Sequence, residues 1–120
     1  MKERGWVGLA AVLGLVAVAA GAFAAHGLEA QGDGRAAAWV EKGSRHQMWH
    51  ALAMLAYLAL GPGSRAPLWL WAVGGVLFPS SLYALALGAP PAVAILAPFG
   101  GAALIAGWAA LAWGAFTARR

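Results

Sequence analysis

Charged side chains interrupt this chain at only a few places, and long apolar stretches run between them. The first stretch, Trp6 to Ala25, carries no charge. At ~1.5 Å per residue it reaches about 30 Å, the thickness of one hydrocarbon core. The second begins near Arg45 and ends at Gly61-Pro62-Gly63. At about 24 Å it is a short span, or one whose first turn sits in the headgroups. The third runs from about Ala66 to Leu87, closed by Pro90-Pro91, and the fourth from about Ala92 to Thr117. The pattern predicts an all-α fold. It is an integral membrane four-helix bundle with spans near 6–25, 45–60, 66–87 and 92–117, in one transmembrane domain covering 1–120.

His26 to Ser44 is the one long connection. Asp33 is placed to cap a short helix from Gly34 to Lys42, with Gly43 as its C′ residue. This helix is expected to lie amphipathically on the outer surface, with Trp39 at the interface. Ser44-Arg45-His46-Gln47 reads as an S-x-x-Q capping box that starts the second span, with Ser44 at the N-cap and Gln47 at N3. In the third span Pro79 removes the bond to the carbonyl of Gly75, which predicts a kink there. Small residues recur at helical spacing as Ala10, Gly14, Ala17, Gly21 and Ala25, and again as Ala103, Gly107, Ala110 and Gly114. Such ridges permit close helix packing, on each other or on a second copy.

Composition narrows the class. The chain is 62% hydrophobic and 10% charged, against ~45–50% and ~25% in soluble domains. A soluble domain and a disordered chain are both excluded. The absence of cysteine removes disulfides, iron–sulfur clusters, thiolate metal sites and cysteine nucleophiles. Missing Asn and only two Lys fit a GC-rich bacterium, and scarce Asn and Cys fit a thermophile.

The net charge of +4 could suggest nucleic acid, but the basic residues are scattered at span ends and read as topology signals instead. Lys2, Arg4, Arg65, Arg119 and Arg120 fall on one side. Arg35, Lys42 and Arg45 fall on the other, balanced by Glu29, Asp33 and Glu41. Both termini are therefore expected in the cytoplasm, in a bacterial inner membrane. A secretory signal, with Lys2 and Arg4 before Ala22-Phe23-Ala24, is the competing reading of the first stretch. That stretch is longer than an ordinary signal core.

Polar residues inside spans are few and carry weight for that reason. His46 and His50 share a helical face with Gln47, Met54 and Tyr57 nearby, and His26 ends the first span. By topology Ser80, Ser81, Tyr83, Pro98, Phe99 and Gly100 come to the same outer side. Two histidines at i, i+4 suit metal chelation, and His26 adds a third candidate ligand. His26, His46 and His50 are thus a candidate site for Zn, Cu, Ni or haem iron. The same imidazoles suit a proton relay. Equally, His26 could offset a helix dipole, Gln47 could cap, and His50 could bond Ser81 or Tyr83 across helices. No span holds a carboxylate, no phosphate loop is present, and Ser80 and Ser81 lack a nucleophile elbow and an acidic partner. The chain is not expected to be an enzyme.

Four motifs in order resemble one family. They are Gly21-Ala22-Phe23-Ala24-Ala25-His26, His46-Gln47-Met48-Trp49-His50-Ala51-Leu52, Phe78-Pro79-Ser80-Ser81-Leu82-Tyr83, and Ala97-Pro98-Phe99-Gly100-Gly101 with Gly107-Trp108 after it. They are similar to domain-of-unknown-function family 423, also called uncharacterised protein family 0382, which comprises small multi-span membrane proteins. The resemblance covers nearly the whole chain and implies fold and location rather than an activity. It carries over His26, Gln47, His50, Ser81, Tyr83 and Pro98 as one polar cluster. His46 stands where the family usually has Tyr, Pro79 and Ser80 where it has Ser and Gly, and Ala97 where it has Thr. A three-histidine site would therefore not be a general family device.

The expected function is a non-catalytic binding or accessory protein of the inner membrane, partnered by the bilayer and by copies of itself or a larger complex. The alternatives are a metal- or haem-binding membrane protein, or a small proton or solute carrier acting as an oligomer.

Overall fold

The structure, a computed structural model, describes residues 1–61 and 63–118. Pro62 of the expected turn, and Arg119 and Arg120 of the expected cytoplasmic charge, lie outside the described residues. Four α-helices follow one another: α1 (Glu3–Phe23), α2 (Gly34–Ala59), α3 (Ala66–Ala86) and α4 (Leu96–Thr117). One π-helical turn, Ala24–Leu28, prolongs α1, and a 3-10 segment, Pro91–Ile95, leads into α4. With these extensions α1, α3 and α4 are long and apolar enough to cross a membrane. The all-α membrane bundle is what the sequence predicts. Gly32, Gly61 and Gly88 have φ of 82°, 67° and 93°. They take the left-handed backbone needed to turn the chain after α1, α2 and α3.

α2 departs from expectation. No surface helix ends at Gly43 and no capping box starts at Ser44, because one helix runs through both. Asp33 does cap it, accepting from the Ala36 N–H at 3.1 Å. Gly43 is buried mid-helix. A Cβ there would stand 2.9 Å from the Tyr83 ring and 3.2 Å from Pro79 Cα, so this glycine serves the close approach of α2 to α3. The Ser44 hydroxyl donates across to the Ala17 carbonyl of α1 at 2.7 Å, and the Gln47 side chain points to α3. The first turns of α2 do not lie on a surface either. Ala36, Ala37 and Val40 are buried against Ala24 and Leu28 of the π turn.

α1, α2 and α3 pack into a three-sided core, and α4 lies along α3. Trp6, Met54, Leu68 and Trp71 fill that core and are fully buried. Gly14 and Gly21 of the first small-residue ridge face α2, at Met48 and Ser44. The second ridge engages α3 through Gly107, which sits on the Trp71 indole. Gly100 joins it, while a Cβ at Gly114 would meet nothing within 4 Å among the described residues. The ridges thus close helices α1 on α2 and α4 on α3 within one chain. The molecule is 55 Å long, so its ends reach past a hydrocarbon core of ~30 Å.

Candidate functional site

Among the described residues the buried polar side chains are Gln47, His50 and Ser81. All three were candidates from the sequence. Gln47 Nε2 donates to the Gly75 carbonyl at 3.1 Å, and Tyr83 donates its hydroxyl to Gln47 Oε1 at 2.9 Å. Pro79 has no N–H to give Gly75, so the amide of α2 supplies the bond that α3 lacks. Ser81 does not meet His50. Its hydroxyl donates back to the Phe78 carbonyl of its own helix at 2.7 Å.

His50 bonds neither Ser81 nor Tyr83. Its Nε2 accepts from Trp108 Nε1 of α4 at 3.0 Å, and its Nδ1 lies 2.6 Å from the His46 carbonyl. An indole nitrogen only donates, so Nε2 is the acceptor and the proton sits on Nδ1, donated to His46. Both imidazole nitrogens are engaged. Trp71 packs 4.8 Å from Trp108 and 6.4 Å from His50, continuing an aromatic seam into the core.

His46 is half-buried. Its ring stacks on Phe78 with centroids 5.0 Å apart and 20° between planes, and Trp49 flanks it at 5.0 Å. Among the described residues its buried Nδ1 has no partner. A cleft of about 300 Å³ opens here between α2 and α4, walled by His46, Trp49, His50, Phe78, Ile105 and Trp108.

The six-residue cluster is brought together only in part. Gln47 and Tyr83 share one network, with His50 and Ser81 on the neighbouring turns. His26 is exposed on the π turn, and Pro98 is exposed in the first turn of α4. The rings of His46 and His50 lie 6.5 Å apart. Among the described residues no three His, Asp or Glu are grouped to hold a metal, so His26, His46 and His50 do not converge.

The sequence offered neither Trp108 nor Phe78 as a site residue, and it gave Ser44 the role of a cap rather than an interhelical donor. Trp6 and Trp71 are core residues. The signal for Trp108 was present. It follows Gly107, whose missing side chain seats α4 on α3 and brings the next residue toward α2.

A family model described as "Protein of unknown function (DUF423)" matches residues 20–101. The chain belongs to this family. A UPF0382 membrane protein of Haemophilus influenzae is 37% identical over 99% of this chain and 98% of its own length. The UPF0382 inner membrane protein YgdD of Escherichia coli K12 is 36% identical over 100% of this chain and 95% of its own length. A UPF0382 membrane protein of Staphylococcus saprophyticus is 36% identical over 90% and 93%. No solved structure matches the chain. The protein is thus a helical membrane protein of a family without an assigned activity, with relatives named as inner membrane proteins.

Proposed function

We propose that this protein is a non-catalytic binding or accessory component of the bacterial inner membrane that holds the apolar part of a small molecule between α2 and α4. One observation carries the reading. Among the described residues the buried His46 Nδ1 has no partner, at the wall of an aromatic cleft of about 300 Å³. An orphaned buried polar atom costs ~1–3 kcal/mol, which a hydrogen-bonding group on an apolar ligand would recover. The volume is at the small end of ligand sites, roughly 300–1,000 Å³. The cleft walls offer imidazole but no carboxylate or hydroxyl, which favours binding over chemistry. A metal or haem site gains no such support, because both nitrogens of His50 already have partners.

In this proposal both termini and the Arg65 loop face the cytoplasm, as the distribution of basic residues suggests. The test of binding is mass spectrometry of small molecules released from protein purified in mild detergent. Wild type is compared with Ile105→Trp, which fills the cleft from an exposed position. A stoichiometric compound lost from the variant supports the reading. The same compounds in both, or none in either, overturns it.

A further inference from the structure

The cleft continues upward into a charged groove. His46 and Trp49 line both, and the groove adds Glu41, Lys42 and Arg45. Glu41, Lys42 and Arg45 are exposed on α2, with Arg45 and Trp49 also bordering α1 and the His46 ring stacked on Phe78 of α3. One turn further along, the same face turns apolar with Leu52 and Leu55, both exposed. Two cations and one carboxylate thus sit directly above an apolar, aromatic slot.

Their depth is unusual. Ser44, between Lys42 and Arg45, is bonded to Ala17 of α1, and its neighbour Gly43 abuts Pro79 of α3. The apolar run of α1 continues from Ala17 to Ala25, about 12 Å further. The charged pair therefore stands inside the depth at which its neighbour helix is still apolar. Charges at such depth reach for the interface along their own stems or draw a counter-ion to themselves.

We infer that this surface binds an anionic phospholipid. Its headgroup phosphate is held by Lys42 and Arg45, and an acyl chain lies in the slot between His50, Ile105 and Trp108. Charge complementarity selects this occupant over a zwitterionic lipid, because the groove carries an excess of one positive charge over Glu41. The apolar slot selects it over free phosphate. The inference rests on the cleft being a binding site, as proposed above, and adds the class of ligand.

The test is native mass spectrometry of the detergent-purified full chain. It is titrated in separate arms with phosphatidylglycerol, with phosphatidylcholine of the same acyl chains, and with glycerol 3-phosphate. About a tenfold preference for phosphatidylglycerol over phosphatidylcholine is expected, the scale of a net basic charge acting on an anionic lipid. Lys42→Gln with Arg45→Gln removes the preference, Lys42→Arg with Arg45→Lys keeps it, and Ile105→Trp weakens both lipids. Glycerol 3-phosphate does not bind. The paired glutamine changes lie on an exposed surface, so an unchanged melting temperature shows that the fold is intact. Equal binding of both lipids, lost only in Ile105→Trp, overturns the headgroup site and leaves the cleft standing. A preference that survives the glutamine changes overturns the inference. Binding of neither lipid overturns it too, and a dimer free of lipid assigns this face to a second copy instead.

Discussion

Gln47 Nε2 on α2 donates to the carbonyl of Gly75 on α3, the group that Pro79 leaves without its helical partner. One side chain therefore repairs a backbone defect in a neighbouring helix. Its other end accepts from Tyr83, so a single amide ties α2 to two residues of α3, Gly75 and Tyr83, that lie about two turns apart. In a bilayer no water is at hand to serve Gly75, which gives this bond its value.

Removing the amide should therefore cost more with Pro79 present than without it. Gln47→Leu is expected to destabilise the fold by about 0.6–2 kcal/mol, the range for interhelical bonds in membranes and for orphaned buried groups. Pro79→Ala restores an N–H for Gly75, and in that background Gln47→Leu should cost measurably less. A double-mutant cycle of unfolding free energies in detergent reads the coupling. Strict additivity of the two changes would mean that Gln47 does not act through Gly75.

The glycines of α4 and α1 should separate by what surrounds them. A Cβ at Gly100 would come 2.5 Å from the Phe78 backbone nitrogen, and one at Gly107 would enter the Trp71 indole. Neither neighbour has room to give, so Gly100→Ala and Gly107→Ala should each cost about 1–3 kcal/mol and loosen α4 from α3. Gly8 has nothing within 4 Å. Gly8→Ala should be neutral or stabilising by up to ~1 kcal/mol through helix propensity. Melting temperatures of the three variants decide, and equal effects would contradict the packing.

The apolar periodicity carried most of the fold. Uninterrupted runs ending in glycine turns and proline pairs placed α1, α3 and α4 to within a few residues, because length and apolarity alone determine a span. The first half of α2 was misread for an identifiable reason. Gly43 and Ser44 look like a helix end and a cap. The same residue types also serve close approach and interhelical bonding, and sequence cannot distinguish these uses. Gln47, His50, Ser81 and Tyr83 were legible because polar groups are rare in apolar runs. Which groups they bond was not legible, because the Gly75 carbonyl leaves no polar signature in the sequence and Trp108 left only the glycine before it. The family match at 20–101 fits this division, since it covers the polar motifs and says nothing of their bonds.

His50 should be a neutral imidazole with its proton on Nδ1. Its Nε2 is committed to the Trp108 indole and its Nδ1 to the His46 carbonyl. Nitrogen NMR on histidine-labelled protein in detergent should show one ring with protonated Nδ1 and bare Nε2. Trp108→Phe removes the donor that faces Nε2. It should shift that resonance and cost about 0.5–1.5 kcal/mol, a typical net value for one hydrogen bond. If the resonance is unmoved, α4 does not reach α2 through this pair.

The orientation of the bundle is the remaining prediction. The α1–α2 connection carries Glu29 and Asp33 with Arg35 close by, while the opposite end has Lys2, Arg4 and Arg65 with Glu3 alone to offset them. Basic residues in short loops stay in the cytoplasm. A cysteine at Gly32 replaces an exposed turn residue in a chain with no other cysteine. It carries the strain of a positive φ, so Gln31→Cys, also exposed, serves as its control. Both should react with an impermeant maleimide added to intact cells, and a reporter fused after Arg120 should be active only in the cytoplasm. That pattern puts the groove of Lys42 and Arg45 in the outer leaflet. Labelling of Gln31→Cys only after lysis would put it in the inner leaflet, facing the cytoplasm.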